Sequence, residues 1–205
     1  MEVLSFFSTK HLQNTYIVHQ EGNSQALLVD PMEIEVALFS LLESHSLTVG
    51  GIILTHVDDR KANAVRSLER IYGPIEKYGG NETIETIEIT NVKELDDFSS
   101  CGFSLQPIFI PGHHSDALIY KIQNTLFTGD LISAGLIEKA DESYGRALLI
   151  HCLEDTLKAL PPTTIILPSH GPPTSVKTEL ETNYDFHHQE KSEVSISSKL
   201  FFIDY

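Results

Sequence analysis

His56, Asp58, Arg60 and Lys61 crowd into one stretch, Ile52-Ile53-Leu54-Thr55-His56-Val57-Asp58-Asp59-Arg60-Lys61, where an apolar run ends in a dense polar cluster. Pro111-Gly112-His113-His114-Ser115-Asp116 follows a second apolar run. Asp130 comes directly after Phe127-Thr128-Gly129, and His170 closes the run that leads into Pro168-Ser169. Imidazoles and carboxylates are the side chains that hold divalent ions. Taken singly, a loop histidine or a turn aspartate explains each of them. Four apolar runs that each deliver such a residue at the C-terminal end point instead to one shared site.

The elements that must position these residues follow from periodicity. Residues 15–19 and 26–30 are β-like and flank the turn cluster Gln20-Glu21-Gly22-Asn23-Ser24, which predicts a hairpin ended by Asp30-Pro31. Helical spacing of apolar residues predicts helices over 34–45, 62–71, 143–160 and 174–184. Ile52 to Thr55 reads as a strand buried on both faces. Further strands are expected over 83–90, 103–110, 118–122, 125–128 and 164–167. If strand geometry continues past Thr55, His56 and Asp58 point to the same side, because strand side chains alternate. Strands in runs with helices between them favour two sheets with outer helices over a doubly wound sheet.

The 205 residues carry 14 basic and 29 acidic side chains, a formal net charge of −15. An acidic surface offers no cation field to phosphates, which argues against nucleic acid and anionic membrane as partners. Neither a signal peptide nor an apolar run of the ~20 residues a membrane span needs is present, so a cytoplasmic location is expected. Cys101 and Cys152 sit among apolar neighbours and read as small buried hydrophobes. The apolar Leu200–Ile203 stretch suggests a surface for a second copy of the chain.

In order and spacing, six segments resemble the metallo-β-lactamase fold superfamily, and within it the hydroxyacylglutathione-hydrolase-like (glyoxalase-type) branch. They are Asn14-x-Tyr16, Ala-Leu-Leu-Val-Asp-Pro at 26–31, Ile-Leu-Thr-His at 53–56, Pro-Gly-His at 111–113, Leu-Phe-Thr-Gly-Asp at 126–130 and Pro-Ser-His-Gly-Pro-Pro-Thr at 168–174. The resemblance covers roughly residues 12–184. It implies an α/β (α+β) chain folded as a four-layer αββα sandwich, one domain over 1–205, with 185–205 as a C-terminal tail.

The family's signature loop reads His-x-His-x-Asp-His, whereas this chain reads His56-Val57-Asp58-Asp59-Arg60-Lys61. Carried over residue by residue, the metal ligands are His56, Asp58, His113, Asp130 and His170, with Asp58 in place of a histidine. Arg60 and Lys61 replace two ligands of the second ion. The resemblance therefore implies one divalent ion (zinc, iron or manganese) held by His56, Asp58, His113 and Asp130, with His170 outside it. Arg60 and Lys61 would supply the positive charge of the missing ion and hold an oxyanion or a substrate anion. The implied activity is hydrolysis of a small-molecule ester or thioester. Two other readings stand beside it: a catalytically inactive binding protein in which Arg60 and Lys61 close the site, and an iron protein responsive to oxygen or nitric oxide. Tyr144 and Arg146 are candidates for the mouth of the site.

Overall fold

The computed structural model describes residues 1–32, 34–138 and 143–188. The apolar stretch at 200–203 lies outside these residues.

Two six-stranded sheets face each other. In the first, the order across the sheet is Glu2–Ser8, Gln13–His19, Gln25–Val29, Thr48–Ile53, Glu76–Gly79 and Thr90–Asn91. In the second it is Thr174–Ser175, Ile165–Pro168, Thr125–Gly129, Leu118–Ile122, Phe103–Phe109 and Phe98–Ser100. The expected 15–19/26–30 hairpin is present, with Tyr16 opposite Val29. Its outer neighbour, Glu2–Ser8, was not anticipated; Phe7 is half exposed, so the strand lacks clean alternation. The single strand expected over 83–90 is instead a two-residue hairpin, Thr83–Ile84 with Ile87–Glu88.

Three apolar layers hold the sandwich together. Tyr16, Leu27, Ile53, Tyr120, Phe127 and Leu167 fill the space between the sheets. Leu38 and Leu42 of the helix Val36–Ser44, with Ala62, Val65 and Leu68 of the helix Asp59–Tyr72, cover the outer face of the first sheet. Leu149, Leu153 and Leu157 of the helix Ser143–Lys158 cover the second, joined by Val176 of the helix Val176–Thr182. The architecture is the expected αββα sandwich. Among the described residues no helix is long and apolar enough to cross a membrane.

Within the sheets two strand pairs determine where the chemistry lies. Gln25–Val29 runs parallel to Thr48–Ile53, and Thr125–Gly129 runs parallel to Ile165–Pro168. Parallel strands deliver their C-terminal ends to one edge, the usual place for a site in such sheets. Those ends are followed by Asp30, His56, Asp130 and His170.

Candidate functional site

The site is built from Asp30 outward. Asp30 adopts a left-handed backbone, φ 50°, which turns its carboxylate under the strand ends. It is 1% exposed. Its Oδ1 accepts from the Thr55 amide at 2.9 Å and from Lys61 Nζ at 2.6 Å. Its Oδ2 accepts from Thr55 Oγ1 at 2.6 Å and Ser169 Oγ at 3.3 Å. Burial pushes the Asp30 carboxyl up, but the Lys61 ammonium, with His56 and the Lys61 and Thr55 hydrogen bonds, reverses this and holds it below the usual range. Lys61 itself is 0% exposed. Its Nζ also donates to the His56 carbonyl at 3.1 Å and lies 3.4 Å from His56 Nδ1.

Lys61 reaches this position because its helix starts three residues earlier than periodicity suggested, at Asp59. Asp58 is the N-cap: it accepts from the Arg60 amide at 2.7 Å. The dense polar loop is therefore the first turn of a helix, and His56 and Asp58 do not share a strand face, since the strand ends at Ile53. Arg60 Nε lies 3.0 Å from each Asp58 oxygen, and Nη2 adds a third contact to Oδ2. That hydrogen-bonded clamp, helped by the Arg60 and Lys61 charges and opposed by burial, brings the Asp58 carboxyl down to about 2.

Around His56 the structure gathers Asp130, His170 and His114. His56 Nε2 is 3.6 Å from Asp130 Oδ2, and His170 Nε2 is 3.4 Å from Asp130 Oδ1. His114 stacks on His56 with ring centroids 5.6 Å apart, and His113 lies beside His114 at 4.1 Å. Burial, followed by the Lys61 charge, lowers the His56 pKa and keeps the ring neutral. Asp116 supports the histidine loop by accepting from the Val57 amide at 2.7 Å. His170 Nδ1 meets the Leu12 carbonyl at 2.9 Å. Asn14 and Tyr16 hold the same loop: Asn14 Nδ2 donates to Pro168 and Gly171 carbonyls, and Tyr16 Oη donates to Pro168 O at 2.7 Å.

Two glycines permit these approaches. Gly129 has φ 58°, and a Cβ there would lie 2.2 Å from Thr55 Oγ1. Gly112, φ 106°, would meet the Gly145 carbonyl at 2.5 Å.

The donor set does not fit a bound divalent ion as it stands. Among the described residues no three His, Cys, Asp or Glu side chains are arranged so that they could hold a metal ion, whereas zinc sites take at least three protein ligands. Asp58 is occupied by Arg60. His56 presents Nδ1 to an ammonium, whereas a ligating imidazole donates its second N–H to an acceptor. Asp130 Oδ1 is buried without a hydrogen-bond partner and faces His170 Nε2.

Of the residues singled out from the sequence, His56, Asp130 and His170 come together; His113 packs its ring beside His114; Asp58 and Arg60 pair with each other at the rim; Lys61 is buried beneath. Arg146 is no mouth residue: it pairs with Asp185 and donates to the Glu138 carbonyl. The Tyr144 side chain lies outside the described residues. Asp30, Asp116 and His114 were not assigned to the site beforehand. Asp30 had a legible signal, since Ala-Leu-Leu-Val-Asp repeats the construction of an apolar run closed by a ligand-type residue.

Comparison with known proteins agrees with this architecture. No family model matches the chain. An uncharacterised protein of Treponema pallidum is 30% identical over 179 residues, covering 85% of this chain and 94% of the relative. The Myxococcus xanthus ETHE1 structure superposes with a TM-score of 0.80 at 23% identity, over 91% of this chain and 84% of that one. The B3 metallo-β-lactamase BLEG-1 gives 0.76 at 22% identity, over 91% and 100%.

This chain has the metallo-β-lactamase fold and belongs to one family with the Treponema protein.

Two further relatives are hydrolases by name. The probable polyketide biosynthesis zinc-dependent hydrolase BaeB of Bacillus velezensis is 24% identical over 186 residues, 86% of this chain and 82% of that protein. A hydroxyacylglutathione hydrolase of Shewanella baltica is 31% identical over 148 residues, 65% of this chain and 53% of the enzyme. The chain thus spans about half the length of the hydroxyacylglutathione hydrolases it matches.

Proposed function

We propose that this protein is a metal-free member of the metallo-β-lactamase superfamily that binds the carbonyl group of an ester or thioester at the face formed by His56, His114, Asp130 and His170. The observation that carries the reading is Lys61: a fully buried ammonium, paired with Asp30 at 2.6 Å, lies 3.4 Å from His56 Nδ1, where a ligating imidazole would instead donate to an acceptor. The name of the hydroxyacylglutathione hydrolase relative supports an acyl compound as the ligand. Arg60, paired with Asp58 but 61% exposed at its side chain, meets an anionic part of that ligand at the rim in this reading.

The test is binding of S-acetylglutathione to protein kept in a chelator, followed by amide NMR. Shifts confined to the loops around Val57, His114 and Asp130 are expected. Binding that appears only after zinc is added would overturn the reading.

One observation favours a second reading, a hydrolase with a single divalent ion. The unpartnered Asp130 Oδ1 facing His170 Nε2 at 3.4 Å is an arrangement that a positive charge would relieve. That reading needs Asp58 to leave Arg60 and His56 to turn a proton, not a lone pair, toward Lys61. It predicts ester or thioester hydrolysis that a chelator abolishes.

A further inference from the structure

We propose that Lys61 is a positioning residue for His56: its ammonium, anchored on Asp30, holds the His56 ring in the tautomer that carries its proton on Nε2, so that this N–H receives the oxygen of a carbonyl ligand beside Asp130. The inference rests on the metal-free reading above and adds a role to a histidine that the resemblance makes a ligand.

The geometry around Nδ1 decides the tautomer. An ammonium has three protons to donate and nothing with which to accept. Lys61 Nζ has three neighbours in reach: Asp30 Oδ1 at 2.6 Å, the His56 carbonyl at 3.1 Å and His56 Nδ1 at 3.4 Å. A proton on Nδ1 would face that cation, whereas a lone pair accepts from it. Thr55 Oγ1, also 3.4 Å from Nδ1, is the one alternative neighbour to which Nδ1–H could donate. Its own hydrogen is committed to Asp30 Oδ2 at 2.6 Å. A neutral hydroxyl competes poorly with a charged donor, because charge-assisted hydrogen bonds are the stronger class. A neutral ring has one proton to place, and with Nδ1 facing the ammonium that proton goes to Nε2.

Nε2 then points toward Asp130 without being consumed by it. The 3.6 Å separation from Oδ2 is beyond hydrogen-bonding range. On the other side of Asp130, His170 Nδ1 donates to the Leu12 carbonyl and Nε2 faces Asp130 Oδ1. The two imidazoles thus flank one carboxylate, and a carbonyl oxygen matches the His56 side.

Long-range proton–nitrogen NMR of the histidine rings, on metal-free protein at neutral pH, reads the tautomer directly. In the wild type the His56 Nε2 resonance is expected to be protonated and Nδ1 bare. The double variant Lys61→Met/Asp30→Asn removes both charges together, which protects the fold, and is expected to move the proton to Nδ1 or divide it between the two nitrogens. A wild-type proton on Nδ1, or a pattern unchanged in the double variant, would overturn the proposal. Addition of S-acetylglutathione should shift the His56 Nε2–H signal; no shift under saturating ligand would refute the ligand-receiving role. Zinc uptake by the wild type would overturn the metal-free reading, while the spectrum of the metal-free protein would still judge the tautomer.

Discussion

Lys61→Met is the most informative single perturbation. The ammonium removed is 0% exposed and the carboxylate left behind is 1% exposed. Breaking a buried pair from one side typically costs about 3–5 kcal/mol, because an uncompensated charge stays buried. Asp30 would keep two hydrogen bonds from Thr55 and one from Ser169, which places the expected loss at the lower end, about 3 kcal/mol. Adding Asp30→Asn removes the stranded charge, so the double variant should recover most of that loss, which a double-mutant cycle with the Asp30→Asn single variant reads as coupling between the two. Urea unfolding with linear extrapolation measures all four proteins, and the slope checks that the unfolded state is unchanged. The pH dependence carries a sign. Asp30 is held below its ordinary pKa, so its contribution is present above about pH 4 and is lost as the pH falls through its folded value. Without Lys61 the carboxyl keeps its burial and loses its cation, so its pKa rises. The deficit of Lys61→Met should therefore be largest at pH 7 and shrink toward pH 5. A single variant within about 0.5 kcal/mol of wild type, or a deficit that grows in acid, would refute the role given to the pair.

Three further outcomes are expected. His56 has a lowered pKa from burial and the Lys61 charge, so the folded state takes up a proton less readily than the unfolded chain; stability should fall as pH drops below about 6.5, and His56→Gln should flatten that slope in thermal melts. Asp58→Ala should cost about 1 kcal/mol through loss of the helix cap and leave S-acetylglutathione binding intact in a calorimetric titration, whereas a ligand role for Asp58 requires loss of bound metal. Gly129→Ala should destabilise by at least about 2 kcal/mol in urea, since the left-handed backbone is strained for alanine and its Cβ meets Thr55 Oγ1.

The fold was legible in the sequence because its signals are local. The 16–29 hairpin, the parallel strands and the covering helices each carry their own periodicity or turn residues. Glu2–Ser8 escaped because an edge strand need not alternate, and Thr83–Glu88 was overcalled because its alternation belongs to a tight hairpin. The site was legible in part. Runs closed by His56, Asp130 and His170 do meet, since parallel strands share an edge. Asp58 and Lys61 were placed by the family's loop, but a cap and a helix turn determine their directions, and those depend on one residue, Asp58, accepting from Arg60 N. Asp30 was read as a strand stop because its partners Thr55, Lys61 and Ser169 lie 25, 31 and 139 residues away.

The central claim is that Lys61, and not a bound ion, is the resident cation of this site. Elemental analysis of wild-type protein, purified without chelator or histidine tag and then dialysed against zinc, iron or manganese, tests it most directly. The account predicts far less than one equivalent of any of these metals per chain, with unchanged thermal stability after chelation. One tightly held equivalent, lost in His170→Ala and in Asp130→Ala, would contradict it.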